Sequence, residues 1–278
     1  MTQISGAIAV VTGGAAGIGR GIAETLRDEG ATVVIADIEQ EALDRAAREL
    51  GVEGVRVDVS DAASVAALAG HVVRVHGGVD IVVNNAGVGP QGRIADLTLD
   101  DWRWILDVNL LGVIHGVHAF LPLLRANPAG GHIVNTASMS AFAPMPGLGA
   151  YAASKAGVAA LTEVLAAELA EDAPDIGVTL LTPGSVHTDI ARSLRNRPAG
   201  TAQALTDVDF AANPGKTAGA VWLTPGQVGR VVARAIRNDD FYAITHPGLL
   251  HRVETRHDGI RRAFEAYPPV AEAPQPLD

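Results

Sequence analysis

Tyr151 and Lys155 stand four residues apart at the end of the stretch S-M-S-A-F-A-P-M-P-G-L-G-A-Y-A-A-S-K, which begins at Ser138. Residues with this spacing share one face of a helix, about one turn apart. A neighbouring ammonium favours the phenolate of a tyrosine and lowers its pKa from about 10. The pair is therefore a candidate general acid/base for an alcohol or a carbonyl, and Ser138 could hydrogen-bond the same oxygen. The alternative is a surface pair on a helix, because Tyr-x-x-x-Lys often arises by chance.

The composition predicts a cytoplasmic α/β protein. The chain has 278 residues, which suit one large α/β domain or two small ones, and no cysteine, which excludes disulfides and cysteine-based metal sites. The net charge is −10 without a basic stripe, so neither nucleic acid nor an anionic membrane is an expected partner. The N-terminal residues do not resemble a signal peptide, and no apolar run of about 18 residues predicts a membrane span.

The first elements that could position this pair are a strand, a glycine-rich turn and a helix. An apolar strand at residues 7–11 leads into T-G-G-A-A-G-I-G, and an amphipathic pattern then continues to Gly30. Gly13, Gly17 and Gly19 let the backbone close on a pyrophosphate, whose charge is favourable at a helix N-terminus. The spacing differs from G-x-G-x-x-G, so a plain tight turn is the alternative.

Asp37 ends the second predicted strand, residues 32–36. A carboxylate at this position can accept hydrogen bonds from both ribose hydroxyls of NAD, and it would repel the 2′-phosphate of NADP. Ile38 follows where an NADP enzyme could carry arginine. We therefore expect NAD rather than NADP. The alternative is that Asp37 caps the helix that starts near Glu39, and it could serve both roles.

Small and polar residues also follow the other predicted strands. These are 55–57 before Asp58 and Val59, 79–83 before Asn84, Asn85, Ala86 and Gly87, 131–137 before Ser138, and 178–181 before Thr182, Pro183 and Gly184. Predicted helices at 61–76, 97–106, 108–125, 150–171 and 224–237 alternate with these strands, and a last strand is expected at 241–245. The pattern predicts a doubly wound parallel sheet of about seven strands, with helices on both faces. The carboxyl ends of its strands would line one crevice.

These motifs, taken in order, resemble the short-chain dehydrogenases/reductases of the single-domain branch. The likeness covers roughly residues 5–245 and rests on the T-G-x-x-x-G-x-G turn, the N-N-A-G motif, the P-G-x-x-x-T segment that ends at Thr188, and the set Asn109, Ser138, Tyr151 and Lys155. The resemblance implies a Rossmann fold in which Tyr151 is the acid/base and Lys155 lowers its pKa and binds the nicotinamide ribose. It also implies that Ser138 holds the substrate oxygen and that Asn109 positions a water for proton relay.

The resemblance also implies a full cofactor site. The residues expected to bind NAD are Gly13, Ala16, Gly17, Ile18, Gly19, Asp37, Ile38, Asp58, Val59, Asn85, Ala86, Gly87, Tyr151, Lys155, Pro183, Gly184, Val186 and Thr188. The substrate pocket is expected to include Ser138, Met145, Tyr151 and His187. No metal site is expected, because His115 and His118 lack an evident third ligand.

Residues 1–267 are predicted to form one catalytic domain, in which residues 186–227 make a substrate-covering lid. The apolar lid residues suggest a hydrophobic substrate, although they could equally pack the lid on itself: Leu194, Leu205, Phe210 and Trp222. Its cations could bind an acidic substrate or form a solvated face: Arg192, Arg195, Arg197 and Lys216. Residues 246–267 are expected to form a C-terminal helix, and the Pro-rich residues 268–278 a disordered tail.

The leading hypothesis is an NAD-dependent alcohol dehydrogenase or ketone reductase that acts on a secondary, hydrophobic, benzylic or cyclic alcohol. An alternative from another class is a catalytically silent NAD-binding sensor or scaffold, which the complete set of four catalytic residues disfavours. A lyase-type relative such as a dehalogenase is disfavoured by the intact glycine turn and Asp37. By family likeness, the helices at 108–125 and 150–171 would pair across a two-fold axis into a homodimer or homotetramer.

Overall fold

A seven-stranded parallel sheet forms the centre of the protein, with the strand order β3-β2-β1-β4-β5-β6-β7. The computed structural model describes residues 2–200, 202–208 and 221–267. The strands are β1 Ile8–Thr12, β2 Thr32–Asp37, β3 Glu53–Arg56, β4 Ile81–Asn84, β5 Gly131–Thr136, β6 Ile176–Thr182 and β7 Tyr242–Ile244. The order reverses between β1 and β4, which confirms the doubly wound sheet predicted from the sequence.

Helices connect the strands and cover both faces of the sheet. They are α1 Gly17–Asp28, α2 Gln40–Leu50, α3 Ala62–His76, α4 Leu99–Leu106, α5 Gly112–Ala126, α6 Met139–Phe142, α7 Gly149–Asp172, α8 Pro225–Asn238 and α9 Leu250–Ala266. Successive side chains of β1 point to opposite faces. Val11 packs with Ile22 and Leu26 of α1, whereas Val10 packs with Phe120 of α5. β1, β2 and β4 are mostly apolar because both of their faces are buried under helices.

The helix predicted at residues 108–125 begins differently. α4 runs without a break through a π-helical turn, Asp107–Leu111, into α5. The described residues contain one helix, Leu99–Ala126, that is long and apolar enough to cross a membrane by length and composition alone, and 39% of its most apolar window is buried. Val113, Phe120 and Leu124 of this helix lie in the core, as expected of a helix that covers a sheet.

The segment after β6 carries a 3₁₀ helix at Asp189–Asn196, which we call the strap. It lies inside the predicted lid, of which residues 209–220, with Phe210 and Lys216, are outside the described part of the chain. Leu205 is buried in a cluster with Val88 and Trp104. This side chain therefore packs against residues outside the lid, which differs from both interpretations, substrate contact and packing of the lid on itself.

The lid arginines are engaged by acidic side chains of the protein. Arg197 forms an ion pair with Asp101 of α4, and both side chains are almost fully buried. Its guanidinium also lies 5.4 Å from the ring centroid of Trp104. Arg192 pairs with Asp189 on the strap itself. An acidic substrate would have to displace these carboxylates, so the arginine content of the lid is no evidence for one.

The chain divides into two compact units at His246. The second unit begins with a short 3₁₀ helix at Pro247–Leu249 and continues as α9, which matches the helix expected at residues 246–267. None of the α9 side chains is buried. The tail predicted at residues 268–278 lies outside the described residues, and the extent of the catalytic domain over 1–267 stays a prediction.

Candidate active site

The glycine turn after β1 is too tight for side chains at two of its positions. Gly13 has a φ of +64°, and a Cβ added there would lie 2.8 Å from the Ala86 Cα. A Cβ on Gly19 would lie 2.2 Å from the Gly13 carbonyl oxygen. The bare backbone therefore leads directly into the N-terminus of α1, a combination that suits an anionic pyrophosphate.

Asp37, at the end of β2, is hydrogen-bonded to the glycine turn. Its Oδ2 accepts a hydrogen bond from the Ala15 N–H at 3.1 Å, and its Oδ1 accepts one from the Glu39 N–H at 3.1 Å. Burial raises the pKa of this carboxyl, and the backbone hydrogen bonds oppose that shift. The N-cap of α2 is Glu39, so the capping role considered for Asp37 does not apply in its simple form.

The other strand-end residues lie around the same crevice. The Asp58 Oδ1 accepts hydrogen bonds from the N–H and the hydroxyl of Ser60 at 2.9 and 2.6 Å, and Val59 next to it is buried. The Asn85 side chain donates to the Thr12 carbonyl at 3.0 Å, while the Asn85 N–H donates to the Thr12 hydroxyl at 2.9 Å. Thr12, which was not among the predicted site residues, thus ties the ends of β1 and β4 together.

Tyr151, Lys155 and Ser138 come together at the ends of β5 and α7. The Ser138 hydroxyl lies beside the Tyr151 phenol, close enough to lower the pKa of that phenol. Lys155 lies 6.0 Å from the centroid of the Tyr151 ring, and its Nζ donates to the carbonyl of Thr136 at 2.8 Å. Ser138 and Lys155 are buried. Helical spacing thus brings the phenol and the ammonium to one face of α7, and the end of β5 brings the Ser138 hydroxyl beside the phenol.

The electrostatics of this pair differ from the simple expectation. Burial raises the pKa of Tyr151, and only the neighbouring Ser138 hydroxyl lowers it. Burial also lowers the pKa of Lys155 from 10.5 to about 8. The reason is geometric, because the ammonium is bonded to the Thr136 carbonyl rather than to the phenol. In the protein alone, desolvation of both groups outweighs their mutual effect.

Asn109 lies in the π-helical turn and is fully buried. Its Oδ1 accepts from the Val88 N–H at 2.8 Å, and its Nδ2 donates to the Val88 carbonyl at 2.9 Å and to the Ser154 hydroxyl at 3.2 Å. Ser154 in turn donates to the Tyr151 carbonyl at 2.7 Å. The asparagine side chain therefore joins the loop after β4 to the helix that carries Tyr151. π turns are frequent at functional sites.

The strap closes the same side of the crevice. The Ser193 hydroxyl accepts a hydrogen bond from the Gly89 N–H at 3.0 Å, and Ser193 is buried. A Cβ on Gly89 would lie 3.1 Å from the Ile190 Cγ1 and 3.7 Å from the Tyr151 Cε2. Ile190 is thus an apolar neighbour of the catalytic region. The sequence offered no signal for Ser193, because its partner is 104 residues away.

His187 and Thr188 line a cavity of about 470 Å³, together with Gly17. The imidazole of His187 stacks on the indole of Trp222 with centroids 5.1 Å apart. The Thr188 hydroxyl accepts a hydrogen bond from the Ile190 N–H at 3.4 Å and so begins the strap. Met145, the remaining residue of the predicted pocket, is 46% exposed.

The segment that follows β6 is held by the last strand. The Gly184 N–H donates to the Thr245 hydroxyl at 3.2 Å, and the Pro183 carbonyl accepts from the Met139 N–H at 2.9 Å. Val186 is buried. The His115 Nδ1 lies 2.9 Å from the Val59 carbonyl, so this histidine has a structural contact. No cluster of three metal-ligating side chains occurs within residues 2–200, 202–208 and 221–267.

The sequence is similar to a known protein family and to several known proteins. A family model described as "short chain dehydrogenase" matches residues 7–199. The probable oxidoreductase EphD of Mycobacterium tuberculosis is 41% identical over 202 residues, or 71% of this chain, and the chain spans 34% of the length of that protein. An uncharacterized oxidoreductase of Staphylococcus aureus strain MW2 is 38% identical over 193 residues, which cover 68% of this chain and 82% of that protein.

Solved structures show the same likeness. A short chain dehydrogenase/reductase from Burkholderia phymatum, crystallised in complex with NAD, matches with a TM-score of 0.88 and 36% identity, over 98% of this chain and 100% of that one. The apo form of LigO from Sphingobium sp. strain SYK-6 matches with a TM-score of 0.79 and 34% identity, over 99% of this chain and 93% of that one.

Proposed function

Because the chain belongs to the short-chain dehydrogenase family, we propose that it is an NAD(H)-dependent oxidoreductase that interconverts a secondary alcohol and its ketone. The observation that carries this proposal is the approach of the Ser138 hydroxyl to the Tyr151 phenol, with Lys155 on the same face of α7 and its Nζ 6.0 Å from the centroid of the phenol ring. These two hydroxyls converge on one point, where a substrate oxygen could bind both. Proton transfer to an alcohol or a carbonyl requires an acid/base group within hydrogen-bond reach of the substrate oxygen.

The residues of the crevice fit a nicotinamide dinucleotide. The glycine turn admits a pyrophosphate at the start of α1, and Asp37 offers carboxylate oxygens to the adenosine ribose. The NAD complex of the Burkholderia relative supports the same assignment. When bound, the nicotinamide would supply the hydride chemistry, and the protein supplies orientation. Asp37 favours NAD over NADP, because a 2′-phosphate would meet a carboxylate.

In the proposed mechanism, Ser138 hydrogen-bonds the substrate oxygen and Tyr151 gives or takes its proton. Lys155 binds the nicotinamide ribose and, through its charge, favours the phenolate form of Tyr151. Asn109 holds the start of α5 and the loop after β4 in place and positions a water that carries the proton to solvent. Each role follows the family resemblance, and the buried contacts of Lys155 and Asn109 support it.

The surroundings of Tyr151 favour an apolar substrate. Ile190 of the strap packs beside Gly89 and the phenol ring, and Met145 stands exposed on the segment between Ser138 and Tyr151. His187 and Trp222 stack on each other in the neighbouring cavity beside Gly17 and offer a flat aromatic surface there. We propose a hydrophobic secondary alcohol, with benzylic and cyclic alcohols as the first compounds to test.

A catalytically silent NAD-binding sensor of the same fold is the second candidate function. The intact Ser138, Tyr151 and Lys155 arrangement argues against it. A screen of hydrophobic secondary alcohols with NAD at about pH 9, where more tyrosine is ionised, separates the two through NADH absorbance. Turnover with any of them supports the dehydrogenase. Tight NAD binding without turnover of any alcohol, or of any ketone with NADH, favours the sensor.

The assembly and the location of the protein also remain proposals. Exposed apolar side chains on α5 and α7 support pairing of these helices across a two-fold axis, because Ile114 is 36% exposed and Val164 56% exposed. We propose a homodimer or homotetramer built on these faces. The cytoplasmic location expected from the sequence stays a prediction.

A further inference from the structure

Glu39 receives three hydrogen bonds from the strap, across 156 and 157 residues of sequence. The Arg195 guanidinium donates from Nε to Oε2 at 3.2 Å and from Nη2 to Oε1 at 2.6 Å. The Asn196 Nδ2 donates to Oε1 at 2.9 Å. The arginine holds the pKa of Glu39 below its usual value, so the carboxylate is charged at neutral pH. A two-pronged pair of this kind fixes the guanidinium in both position and plane.

The remaining nitrogen of Arg195 is engaged as well. Its Nη1 donates to the Arg192 carbonyl at 2.7 Å and to the Asp189 carbonyl at 3.3 Å. All three nitrogens of the guanidinium thus have acceptors from the protein. Only the two that face Glu39 are bound to a charged group, and these are the two that could turn to another anion without unfolding the strap.

This pair lies in the wall of the pocket that contains Asp37. The pocket has a volume of about 200 Å³ and is lined by four carboxylates and three guanidinium groups: Asp37, Glu39, Glu49, Asp189, Arg20, Arg45 and Arg195. The lining therefore carries one net negative charge. Under the proposed function this pocket takes the adenosine ribose, and a 2′-phosphate would enter the same space.

We propose that Glu39 is a cofactor-specificity residue that acts through Arg195, by holding the one strap guanidinium that could otherwise bind a 2′-phosphate. The inference rests on the proposed use of a nicotinamide dinucleotide. An arginine fork matches a phosphate in the same two-pronged geometry that it uses for a carboxylate. Glu39 occupies that fork and adds a negative charge beside the phosphate position. It thereby excludes NADP without contacting the ribose.

This role differs from that of Asp37. Asp37 acts by direct contact, since its carboxylate borders the turn and can accept the ribose hydroxyls. Glu39 acts indirectly, because it holds the positively charged Arg195 guanidinium that could otherwise bind the phosphate. The sequence alone assigned exclusion of NADP to Asp37, because the partner of Glu39 is far away in the chain.

The test compares binding of NAD and NADP to the full-length protein by calorimetry, with 2′,5′-ADP and 5′-AMP as truncated probes. Glu39→Gln removes the negative charge and one of the two oxygens that hold Arg195, and it should raise the ratio of NADP to NAD affinity by on the order of tenfold. Glu49→Gln is the matched control, because Glu49 lines the same pocket but pairs with Arg20 at 2.6 Å. The double variant Glu39→Gln/Arg195→Gln should lose most of the gain.

Three results would overturn the proposal: an unchanged ratio in Glu39→Gln, an equal gain in Glu49→Gln, or a gain that survives in the double variant. Retained NAD binding shows that each variant is folded. The readout does not require turnover, so it stands apart from the alcohol screen. A wild-type preference for NADP would refute the NAD assignment, while the change caused by Glu39→Gln would still report on Arg195.

Discussion

At the scale of single residues, the site is defined by polar groups whose burial lowers the stability of the folded protein. Lys155 is fully enclosed, and its ammonium has a backbone carbonyl rather than a carboxylate as its bonded partner. Such a group opposes folding unless a ligand supplies compensation. The sequence predicted Tyr151 and Lys155 as neighbours because helical spacing is local. It did not predict their burial, which depends on β5 and on the loop after β4.

Lys155 should make stability depend on pH in a direction opposite to an ordinary ion pair. Its pKa is about 8 in the folded protein and 10.5 in the unfolded chain. Between these values the unfolded chain holds the proton and the folded protein does not, so stability rises with pH through this window. We expect wild type to gain up to roughly 3 kcal/mol relative to Lys155→Met between about pH 7 and pH 11.

Urea unfolding of both proteins across that pH range measures this difference. Subtracting the Lys155→Met curve removes the groups that the two proteins share. A wild type that loses stability relative to the variant as pH rises would contradict the buried, weakly compensated lysine. Lys155→Met should also lose turnover, because it removes the charge beside Tyr151 and the ribose contact that we propose for Lys155.

At the scale of elements, strands and helices follow the sequence patterns closely, and irregular segments do not. Alternating apolar runs and glycine turns are local, so all seven strands were predicted within a few residues. The π turn at Asp107–Leu111 joins two helices that the sequence pattern predicted as separate, at 97–106 and 108–125. The strap is held by Ser193 and Arg195, whose partners Gly89 and Glu39 are more than 100 residues away. Only the folded chain shows such contacts.

The interior strand β5 contains an acid-sensitive group. His132 is completely buried, its Nε2 lies 2.8 Å from the Thr179 hydroxyl, and Nδ1 has no hydrogen-bond partner in the described part of the chain. Burial lowers its pKa from 6.5 to about 3. Between these pH values the His132 imidazole binds a proton in the unfolded chain but not in the folded protein, so stability is lost as pH falls.

We therefore expect His132→Gln, which keeps a donor for Thr179, to lose less stability on acidification than wild type. The difference should reach roughly 4 kcal/mol between about pH 7 and pH 3.5. Thermal or urea unfolding at several pH values measures it. His251→Gln, at an exposed histidine of α9, is the control and should follow wild type. Parallel acid curves for wild type and His132→Gln would refute this assignment.

At the scale of the whole molecule, the parallel sheet gathers residues that are distant in sequence at the carboxyl ends of its strands. Five site residues lie at or just after the ends of five different strands: Gly13, Asp37, Asn85, Ser138 and Gly184. The parallel sheet brings these strand ends to one edge. This convergence was predictable, because the carboxyl ends of parallel strands all lie at the same edge of a sheet. The nature of the substrate was not, because the strap that borders Tyr151 is positioned by long-range contacts.

The exposed faces of α5 and α7 should control assembly. Ile114→Asp and Val164→Asp each place a charge on an apolar face that we propose to be buried between subunits, and a buried unpaired charge is costly. Both variants should shift the protein toward monomer in light scattering coupled to size exclusion. Val75→Asp on α3, at a side chain that is 53% exposed, is the control. An unchanged assembly in both face variants would exclude these helices as the interface.

The central claim, that Tyr151 moves the proton of the substrate, is tested most directly by Tyr151→Phe. This change removes one hydroxyl and keeps the ring, so NAD affinity should stay within a few-fold of wild type while alcohol oxidation falls by about a thousandfold or more. Tyr242→Phe, at the exposed tyrosine of β7, should keep full activity. Turnover close to wild type in Tyr151→Phe, with NAD bound normally, would contradict the account.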